Sequence, residues 1–331
     1  MLYPLAPHWR AWNMRGTLLC GPDAGLTAMC IREIKRVAVV GCGFMGREIG
    51  LQCAVHGRPV RMYDVSPAAL RQGKSVQAQL LDEQIQAAAV PADQRQAILD
   101  RIDYTDSLAD ATARADLVIE VVKEELETKR KVFAALDETC PAHTILTTNS
   151  SSIRISLIES ATSRPDKVAN THFVQPVWCH NYVEVMRGTA TSDDTYDTVA
   201  AFMRSINVMP VRVRRESTGF IYNRIWRAVK KEALKVVDSG VASHEDVDRT
   251  WMIQMDMSRG PCAMMDIVGL DVVADIEMVY YRQSGDESDA PPKVLLDMIE
   301  KGELGVKTGK GFYTYPNPSW QSPDFLTGDL K

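Results

Sequence analysis

The sequence lacks the features that mark several specialised classes of protein. No stretch approaches the roughly 18 uninterrupted apolar residues that a membrane-spanning helix needs, and the first 34 residues lack the order of a signal peptide. The chain has no block of Lys and Arg, and its formal net charge is -5. We therefore expect a cytoplasmic protein with no membrane anchor and with no nucleic acid as a standing partner.

Metal-binding and disulfide patterns are missing as well. The seven cysteines contain no CxxC pair, and the six histidines show neither HxxxH nor HExxH spacing. Structural zinc and a disulfide framework are therefore poorly supported, and no metal ligand is predicted. The chain has 331 residues, 45% of them apolar and 24% charged, which is an ordinary globular composition with room for two cores.

Two kinds of hydrophobic pattern divide the chain. From Lys35, short β-branched runs alternate with longer amphipathic ones, which is typical of βαβ units and of a parallel sheet covered by helices. Beyond residue 214 strand signals nearly vanish. The prediction is an α/β domain over 35–214 and an all-α C-terminal domain over 215–331, with 1–34 as a loose N-terminal extension.

These patterns place seven strands and four clear helices. The predicted strands are 36–40, 60–63, 117–122, 144–148, 168–173, 182–186 and 208–213. The predicted helices are 46–56, 67–88, 126–138 and 219–238. The segment from Pro316 onwards is polar and rich in proline, so we expect it to be loose.

The stretch VAVVGCGFMG has the form of a dinucleotide-binding turn. Gly41, Gly43 and Gly46 follow an apolar strand directly and stand at the mouth of a helix. The first glycine permits the tight turn, the second admits the pyrophosphate, and the third allows close packing. The N–H groups at the helix N-terminus suit phosphate anions. Phe44 and Met45 lie inside the motif and are predicted to contact the cofactor.

Asp64 supplies a second test of this interpretation. It closes the next strand 18 residues after Gly46, near the ~20 expected for a carboxylate that holds the ribose hydroxyls. A carboxylate here repels a 2′-phosphate and no Arg follows at once, so the cofactor is predicted to be NAD. The first domain is then a Rossmann-like NAD-binding domain. A strand-end cap beside Ser66 is the alternative role for Asp64.

Four further motifs together resemble the L-3-hydroxyacyl-CoA dehydrogenase family. They are NSSSIRIS at 149–156, THFVQPVWCHNYVEVM at 171–186, STGFIYNR at 217–224 and GVKTGKGFYTY at 305–315. They occur in the family's order, and the resemblance runs from about residue 35 to residue 315. It implies an NAD-dependent oxidation of a 3-hydroxyacyl substrate carried by coenzyme A, a place in fatty acid metabolism, and a homodimer formed through the helical domain.

The resemblance assigns the proton transfer to His172. In the family the histidine of the HFxNP motif takes the proton of the substrate 3-hydroxyl, and a glutamate twelve residues on, here Glu184, pairs with it. The pairing suits the chemistry because the carboxylate sets the tautomer of the imidazole and stabilises its protonated form. Ser151 matches the serine that hydrogen-bonds the reacting oxygen. Asn223 matches an asparagine that reaches the site from the first helix of the second domain.

Each of these side chains also has a structural alternative. His172 and Glu184 could be a hydrogen-bonded strand-end histidine and an exposed strand residue. Ser151 could cap the following turn, and Asn223 could make a hydrogen bond between the domains.

Five more residues are carried over from the family with more open roles. Glu120 and Asn149 match positions that line the nicotinamide side. Arg71 and Lys74 lie where the family contacts coenzyme A, although solvation commonly explains two basic residues on an exposed helix. Gln175 replaces the asparagine of the family motif, so the reach of the amide is one methylene longer. The following letters VWCHNY also depart from the more apolar family pattern.

Two other functions remain open from the sequence. Dehydrogenases of free 3-hydroxy acids, such as the gulonate and carnitine enzymes, share the HxxNP and VEV features, and the altered Gln175 loop is compatible with them. A catalytically silent NAD-binding protein of the crystallin kind is the other, although the intact polar set speaks against it. The 3-hydroxyisobutyrate and phosphogluconate group uses a lysine in a GxxxK motif where this chain has Gly219 and Asn223.

Overall fold

Short buried strands alternate with helices between Val37 and Val213. The computed structural model describes residues 32–327. The strands of the described chain are β1 (Val37–Val40), β2 (Val60–Tyr63), β3 (Ile102–Thr105), β4 (Leu117–Glu120), β5 (Ile145–Thr148), β6 (Val168–Phe173), β7 (Tyr182–Arg187) and β8 (Met209–Val213). They form one sheet in the order β3-β2-β1-β4-β5-β6-β7-β8.

The α-helices follow the same chain order. Those of the described residues are α1 (Phe44–Val55), α2 (Pro67–Gln86), α3 (Arg95–Leu99), α4 (Leu108–Thr112), α5 (Leu126–Thr139), α6 (Asp193–Ser205), α7 (Tyr222–Asp238), α8 (His244–Met255), α9 (Pro261–Val268), α10 (Leu270–Ser284) and α11 (Lys293–Glu300). Local chemistry sets several starts: Ser66 precedes Pro67, and its hydroxyl accepts a hydrogen bond from the Ala69 amide at 3.3 Å.

The sheet is parallel from β3 to β6 and reverses at its far edge. Strand β7 pairs antiparallel with β6, and β8 runs parallel to β7. Apolar side chains are buried on both faces, so helices cover the sheet on both sides. β2 and β4 flank β1 on opposite sides, and ligands of such sheets bind beside the carboxyl ends of the strands where the order reverses.

Contacts divide the described residues into two units. The sheet unit ends at Tyr222, and the helical unit begins at Asn223; the sequence analysis placed its domain boundary between residues 214 and 215. Most of the predicted N-terminal extension, 1–31, lies outside the described residues. Its last part is not loose as expected, since Ile34 is buried in the core of the sheet unit.

The helical unit has its own core, and the end of the chain belongs to it. Trp320 and Phe325 are both buried in that core, so the expectation that the chain is loose from Pro316 is wrong as far as residue 327. The final residues, 328–331, lie outside the described part. The proline-rich and polar composition of this segment predicts that it does not pack, but two of its aromatic side chains anchor it in the core of the helical unit.

Buried Asp266 organises the GKGFYTY motif in this unit. Its carboxylate accepts hydrogen bonds from the amides of Phe312 and Tyr313, both at 2.9 Å. A side chain at Gly311 would collide with this carboxylate, because a Cβ there would lie 2.0 Å from Oδ1. Within the helical unit, the motif therefore packs around the buried carboxylate of Asp266 and has a structural role there.

The described residues contain neither a membrane-spanning helix nor a cluster of metal ligands. Residues 32–327 contain no helix that is both long and apolar enough to cross a bilayer. The same residues bring no three His, Cys, Asp or Glu side chains together as a possible metal site.

Candidate active site

The turn after β1 has the geometry that a dinucleotide needs. Gly41 has a φ of +114°, and a Cβ there would lie 2.6 Å from the carbonyl oxygen of Val121. A Cβ at Gly46 would lie 2.0 Å from the carbonyl oxygen of Gly41. Helix α1 can therefore pack against the turn only because residue 46 has no side chain. Around the Cβ position of Gly43, by contrast, no atom of a described residue beyond its chain neighbours lies within 4 Å.

This open position lies at the N-terminus of α1. Gly43 is the N-cap residue, and no side chain of the described chain caps the helix by a hydrogen bond. The first-turn amides can therefore bind the pyrophosphate of NAD. Phe44 is 67% exposed beside them and Met45 is partly buried against the core, so Phe44 is the better placed of the two to contact a cofactor.

Asp64 ties the end of β2 to the glycine turn. Its carboxylate accepts hydrogen bonds from the amide of Cys42 at 2.8 Å and from the amide of Ser66 at 2.9 Å. The bond to Ser66 is the strand-end cap named as the alternative role. The bond to Cys42 goes further, because it places the carboxylate beside the nucleotide turn, where a ribose contact is expected.

A buried histidine and glutamate face each other across β6 and β7. His172 and Glu184 are directly paired in the antiparallel register, and Nδ1 of His172 lies 2.8 Å from Oε2 of Glu184. Both residues are buried. The structure therefore brings together the two residues that the resemblance paired.

Glu184 remains ionised in this environment. Burial acts to raise its pKa, but the hydrogen bond from His172 and those from the Tyr222 and Ile221 amides outweigh burial, so the pKa lies below its ordinary value. The two amides lie 2.9 and 2.8 Å from Oε1. Because an ionised carboxylate only accepts hydrogen bonds, Nδ1 of His172 is the donor of the pair.

The amides that hold Glu184 come from an unusual turn before α7. Gly219 and Phe220 both have positive φ values, +75° and +52°, and a phenylalanine in this region is strained. The turn places the Phe220 ring against the His172 ring, with centroids 4.7 Å apart. The strained segment thus holds both members of the pair from one side.

The loop that carries Ser151 is tied to β6 on both sides of His172. Asn149 accepts a hydrogen bond from the Phe173 amide at 2.8 Å, and Asn170 donates one to the Ser150 carbonyl at 3.0 Å. Ser151 itself is exposed, and the hydroxyl that caps the following turn is that of Ser150, which accepts a hydrogen bond from the Ile153 amide at 2.9 Å, so the alternative role belongs to its neighbour. The observed contact of Asn149 is with the strand, and its cofactor contact stays a prediction.

Glu124 and Lys129, which the sequence analysis missed, hold this loop from the other side. Oε1 of Glu124 accepts hydrogen bonds from the hydroxyls of Ser150 and Ser152 at 2.5 and 2.8 Å and from the Ser152 amide at 3.0 Å. Oε2 of Glu124 lies 3.3 Å from Nζ of buried Lys129. Burial opposes ionisation of Glu124, but the Ser150 hydroxyl and the Lys129 ammonium keep its pKa below the ordinary value. The only sequence feature that pointed to this arrangement was Lys129, a charged residue on the buried face of an amphipathic helix.

The structure corrects the role predicted for Glu120. Its side chain is 0% exposed, so it cannot line the nicotinamide side. Its carboxylate instead accepts hydrogen bonds from Nζ of Lys129 at 2.8 Å and from the Thr148 hydroxyl at 2.6 Å. Glu120 is the buried counter-ion of Lys129, which explains why a carboxylate ends β4.

The remaining predicted residues lie in three places. Arg71 and Lys74 are exposed on α2. Gln175 is partly buried in the loop from β6 to β7, where buried Glu48 of α1 accepts a hydrogen bond from the Val177 amide at 2.6 Å. Asn223 belongs to the helical unit, near the start of α7.

Comparison with known proteins identifies the family. The model of the 3-hydroxyacyl-CoA dehydrogenase NAD binding domain matches residues 36–217, and that of the 3-hydroxyacyl-CoA dehydrogenase C-terminal domain matches residues 219–315. The chain belongs to the 3-hydroxyacyl-CoA dehydrogenase family. The resemblance drawn from the motifs and the predicted fold class are thereby confirmed, and NAD is the cofactor.

Several known proteins are similar to this chain over most of their length. A probable 3-hydroxybutyryl-CoA dehydrogenase of Bacillus subtilis is 37% identical over 284 residues, which are 86% of this chain and 98% of the relative. The crystal structure of (S)-3-hydroxybutyryl-CoA dehydrogenase from Ralstonia eutropha has a TM-score of 0.81 at 34% sequence identity. The match covers 86% of this chain and 100% of the chain in that structure. A diketoreductase, described in dual catalysis of dicarbonyl compounds, has a TM-score of 0.77 at 35% identity, with the same two coverages.

Proposed function

We propose that this protein oxidises the 3-hydroxyl of a 3-hydroxyacyl-CoA to a ketone, with His172 as the general base. The observation that carries the proposal is the buried pair of His172 and ionised Glu184, 2.8 Å apart, at the carboxyl end of β6. The glycine turn after β1 and Asp64 after β2 supply a matching NAD site. When bound, NAD supplies the nicotinamide ring that accepts the hydride from C3.

The side chains of this protein handle the proton. Nδ1 of His172 donates to Glu184, so Nε2 keeps the lone pair that accepts the proton of the substrate hydroxyl. The ring then carries a positive charge, which Glu184 stabilises at close range in a buried setting. The amides of Ile221 and Tyr222 keep Glu184 in place, and the stacked Phe220 ring excludes water from one face of the imidazole.

Two polar side chains are assigned to hold the reacting oxygen. Ser151 is presented on a loop that is pinned to β6 and to Glu124, and its exposed hydroxyl is suited to a hydrogen bond with the substrate oxygen. Asn223 is assigned the same task from the start of the helical unit. Holding the alcohol in line is what turns a nearby base into an efficient one.

Coenzyme A is the proposed carrier because one relative is named a 3-hydroxybutyryl-CoA dehydrogenase and another a probable one. Exposed Arg71 and Lys74 on α2 are candidates for contacts with its phosphates. The alternative, a dehydrogenase of free 3-hydroxy acids or related carbonyl compounds, is favoured by one observation, the similarity to the diketoreductase. A homodimer, a cytoplasmic location and a place in fatty acid metabolism stay predictions.

The test is His172→Ala, assayed by NADH formation with 3-hydroxybutyryl-CoA and then with free 3-hydroxy acids. We expect kcat to fall by about 10²- to 10⁴-fold because the base is lost, while the affinity for NAD, measured by calorimetry, changes little. A variant that loses NAD affinity in proportion to activity would make His172 a structural residue.

His143→Ala is the matched control. His143 also pairs with a carboxylate, with Nε2 3.2 Å from Oδ1 of Asp116, but it lies in the loop before β5, away from the carboxyl ends of the strands. This variant should keep its kcat. Turnover of free acids but of no thioester by the unmodified protein would select the alternative function, and tight NAD binding with no turnover at all would indicate a silent protein.

A further inference from the structure

A tyrosine hydroxyl close to the catalytic pair is buried without a partner. Tyr182 is the first residue of β7, and its hydroxyl oxygen is shielded from solvent yet has no hydrogen-bond partner among the described residues. Burying a hydroxyl in this way is unfavourable, and such groups in native proteins usually have a reason. A ligand that supplies the missing partner is one such reason.

Tyr182 lies on the same strand as Glu184, close to the catalytic pair. Side chains alternate along a strand, so Tyr182 shares a face with Glu184, and Glu184 is directly opposite His172. Since β7 runs antiparallel to β6, its first residue lies at the edge of the sheet where β6 ends. The Tyr182 hydroxyl is therefore on the same face as the proton-transfer pair and one step nearer the edge at which ligands bind.

The chemistry of the hydroxyl selects the kind of group it can bind. Burial, and then the negative charge of Glu184, raise the pKa of the Tyr182 phenol well above its ordinary value, so it is a protonated donor. Both oxygens of Glu184 already accept hydrogen bonds from His172 and from the turn before α7. A second carboxylate would be repelled by Glu184, so a neutral oxygen acceptor fits best.

We propose that Tyr182 is a specificity residue that donates a hydrogen bond to a keto or hydroxyl oxygen on the acyl chain of the substrate. This inference rests on the proposed function, because it assumes a 3-hydroxyacyl substrate beside His172. The ring of Tyr222, a residue that is 40% exposed, lies beside that of Tyr182 with the centroids 6.5 Å apart, and the proposal includes a shift of this ring when the substrate binds. The preferred acyl chain is thus oxygenated beyond C3.

The experiment compares two thioesters of equal length, 3-hydroxyhexanoyl-CoA and 3-hydroxy-5-oxohexanoyl-CoA, with the unmodified protein and with Tyr182→Phe. We expect the ratio of kcat/KM for the 5-oxo substrate over the plain substrate to fall roughly three- to tenfold in the variant, the equivalent of one neutral hydrogen bond. Damage to the fold lowers both values by the same factor and cancels in the ratio, so a change in the ratio reports only the lost hydrogen bond. An unchanged ratio would overturn the proposal.

A control variant and a binding measurement complete the test. Tyr196→Phe removes a buried hydroxyl that bonds the Val185 carbonyl at 3.3 Å, and it should leave the ratio as in the unmodified protein. Binding of the two thioesters by calorimetry separates this inference from the proposed function. If neither thioester is oxidised but Tyr182→Phe still weakens binding of the 5-oxo compound selectively, the proposed reaction fails and the assignment of Tyr182 stands. If there is neither turnover nor selective binding, the proposed reaction and the assignment of Tyr182 are both overturned.

Discussion

At the scale of single residues, Glu184 connects the chemistry to the fold. It accepts a hydrogen bond from His172 with one oxygen and from two backbone amides with the other. The same contacts that keep it ionised also hold the turn that places Phe220 on the imidazole. A substitution at Glu184 therefore acts on both catalysis and stability, and pH can separate the two effects.

Glu184→Gln should lower kcat by about 10²- to 10⁴-fold, because an amide neither fixes the tautomer of His172 nor stabilises its protonated ring. Steady-state kinetics with NAD and 3-hydroxybutyryl-CoA measure this. Asp137→Asn, a change from carboxylate to amide in a pair with Arg164, is the control and should retain its kcat. Equal activity of Glu184→Gln and the unmodified protein would remove Glu184 from the mechanism.

The stability of the same variant should depend on pH in a defined direction. The pKa of Glu184 is below its ordinary value of about 4.5 in the folded protein, so folding favours the ionised form. The stabilisation is fully present above about pH 4.5 and is lost as the pH falls through the lowered pKa of the folded state. Urea unfolding should therefore show a stability gap between the unmodified protein and Glu184→Gln that closes in acid.

At the scale of elements, the loop from Asn149 to Ile153 has little structure of its own. It is held by Glu124 on one side and by Asn170 of β6 on the other. Glu124 in turn is held by Lys129 of α5, whose charge is balanced by Glu120 at the end of β4. Side chains of β4, α5 and β6 thus cooperate to present Ser151.

Glu124→Ala should lower kcat/KM by about tenfold or more, because the loop amides and hydroxyls lose their common acceptor and a loss of about 1.4 kcal/mol is already tenfold. Glu124→Gln should recover much of this activity, since its carbonyl oxygen can accept the same bonds. Glu125→Ala serves as the control, because Glu125 binds Lys123 and Thr128 on the surface. Full activity of Glu124→Ala would show that the loop holds its shape without this residue.

At the scale of the whole molecule, each of the two units has its own hydrophobic core. The core of the helical unit includes residues from the last described segment, above all Trp320, which is 9% exposed. The guanidinium of Arg259 also lies over its ring, 5.7 Å from the centroid. This segment therefore contributes to stability even though it carries no residue of the proposed site.

Trp320→Ala should lower the free energy of unfolding of the helical unit by about 3–5 kcal/mol, the usual effect of removing a buried large aromatic side chain. Chemical denaturation followed by circular dichroism measures it. Leu326→Ala, at a residue that is 44% exposed, should change the free energy by less than about 0.5 kcal/mol. A small effect of Trp320→Ala would return this segment to the loose tail expected from composition.

The order of strands and helices around the nucleotide turn, the cofactor and the family could all be predicted before the structure was known. Periodicity reports which side of an element is buried, and the glycine spacing has a local steric cause, so both can be read without coordinates. The short strand β3 was missed because IDYT is a half-polar edge strand, in which only one of the four residues is buried.

The partners of the charged residues, by contrast, could be identified only from the folded protein. Sequence spacing does not say that Glu120 turns inward to Lys129, that Glu124 collects the serine loop, or that the Tyr182 hydroxyl has no partner. These facts depend on contacts between elements far apart in the chain. The physical reason is that burial and pairing of a polar group are set jointly by every element packed around it, whereas a local pattern records only one.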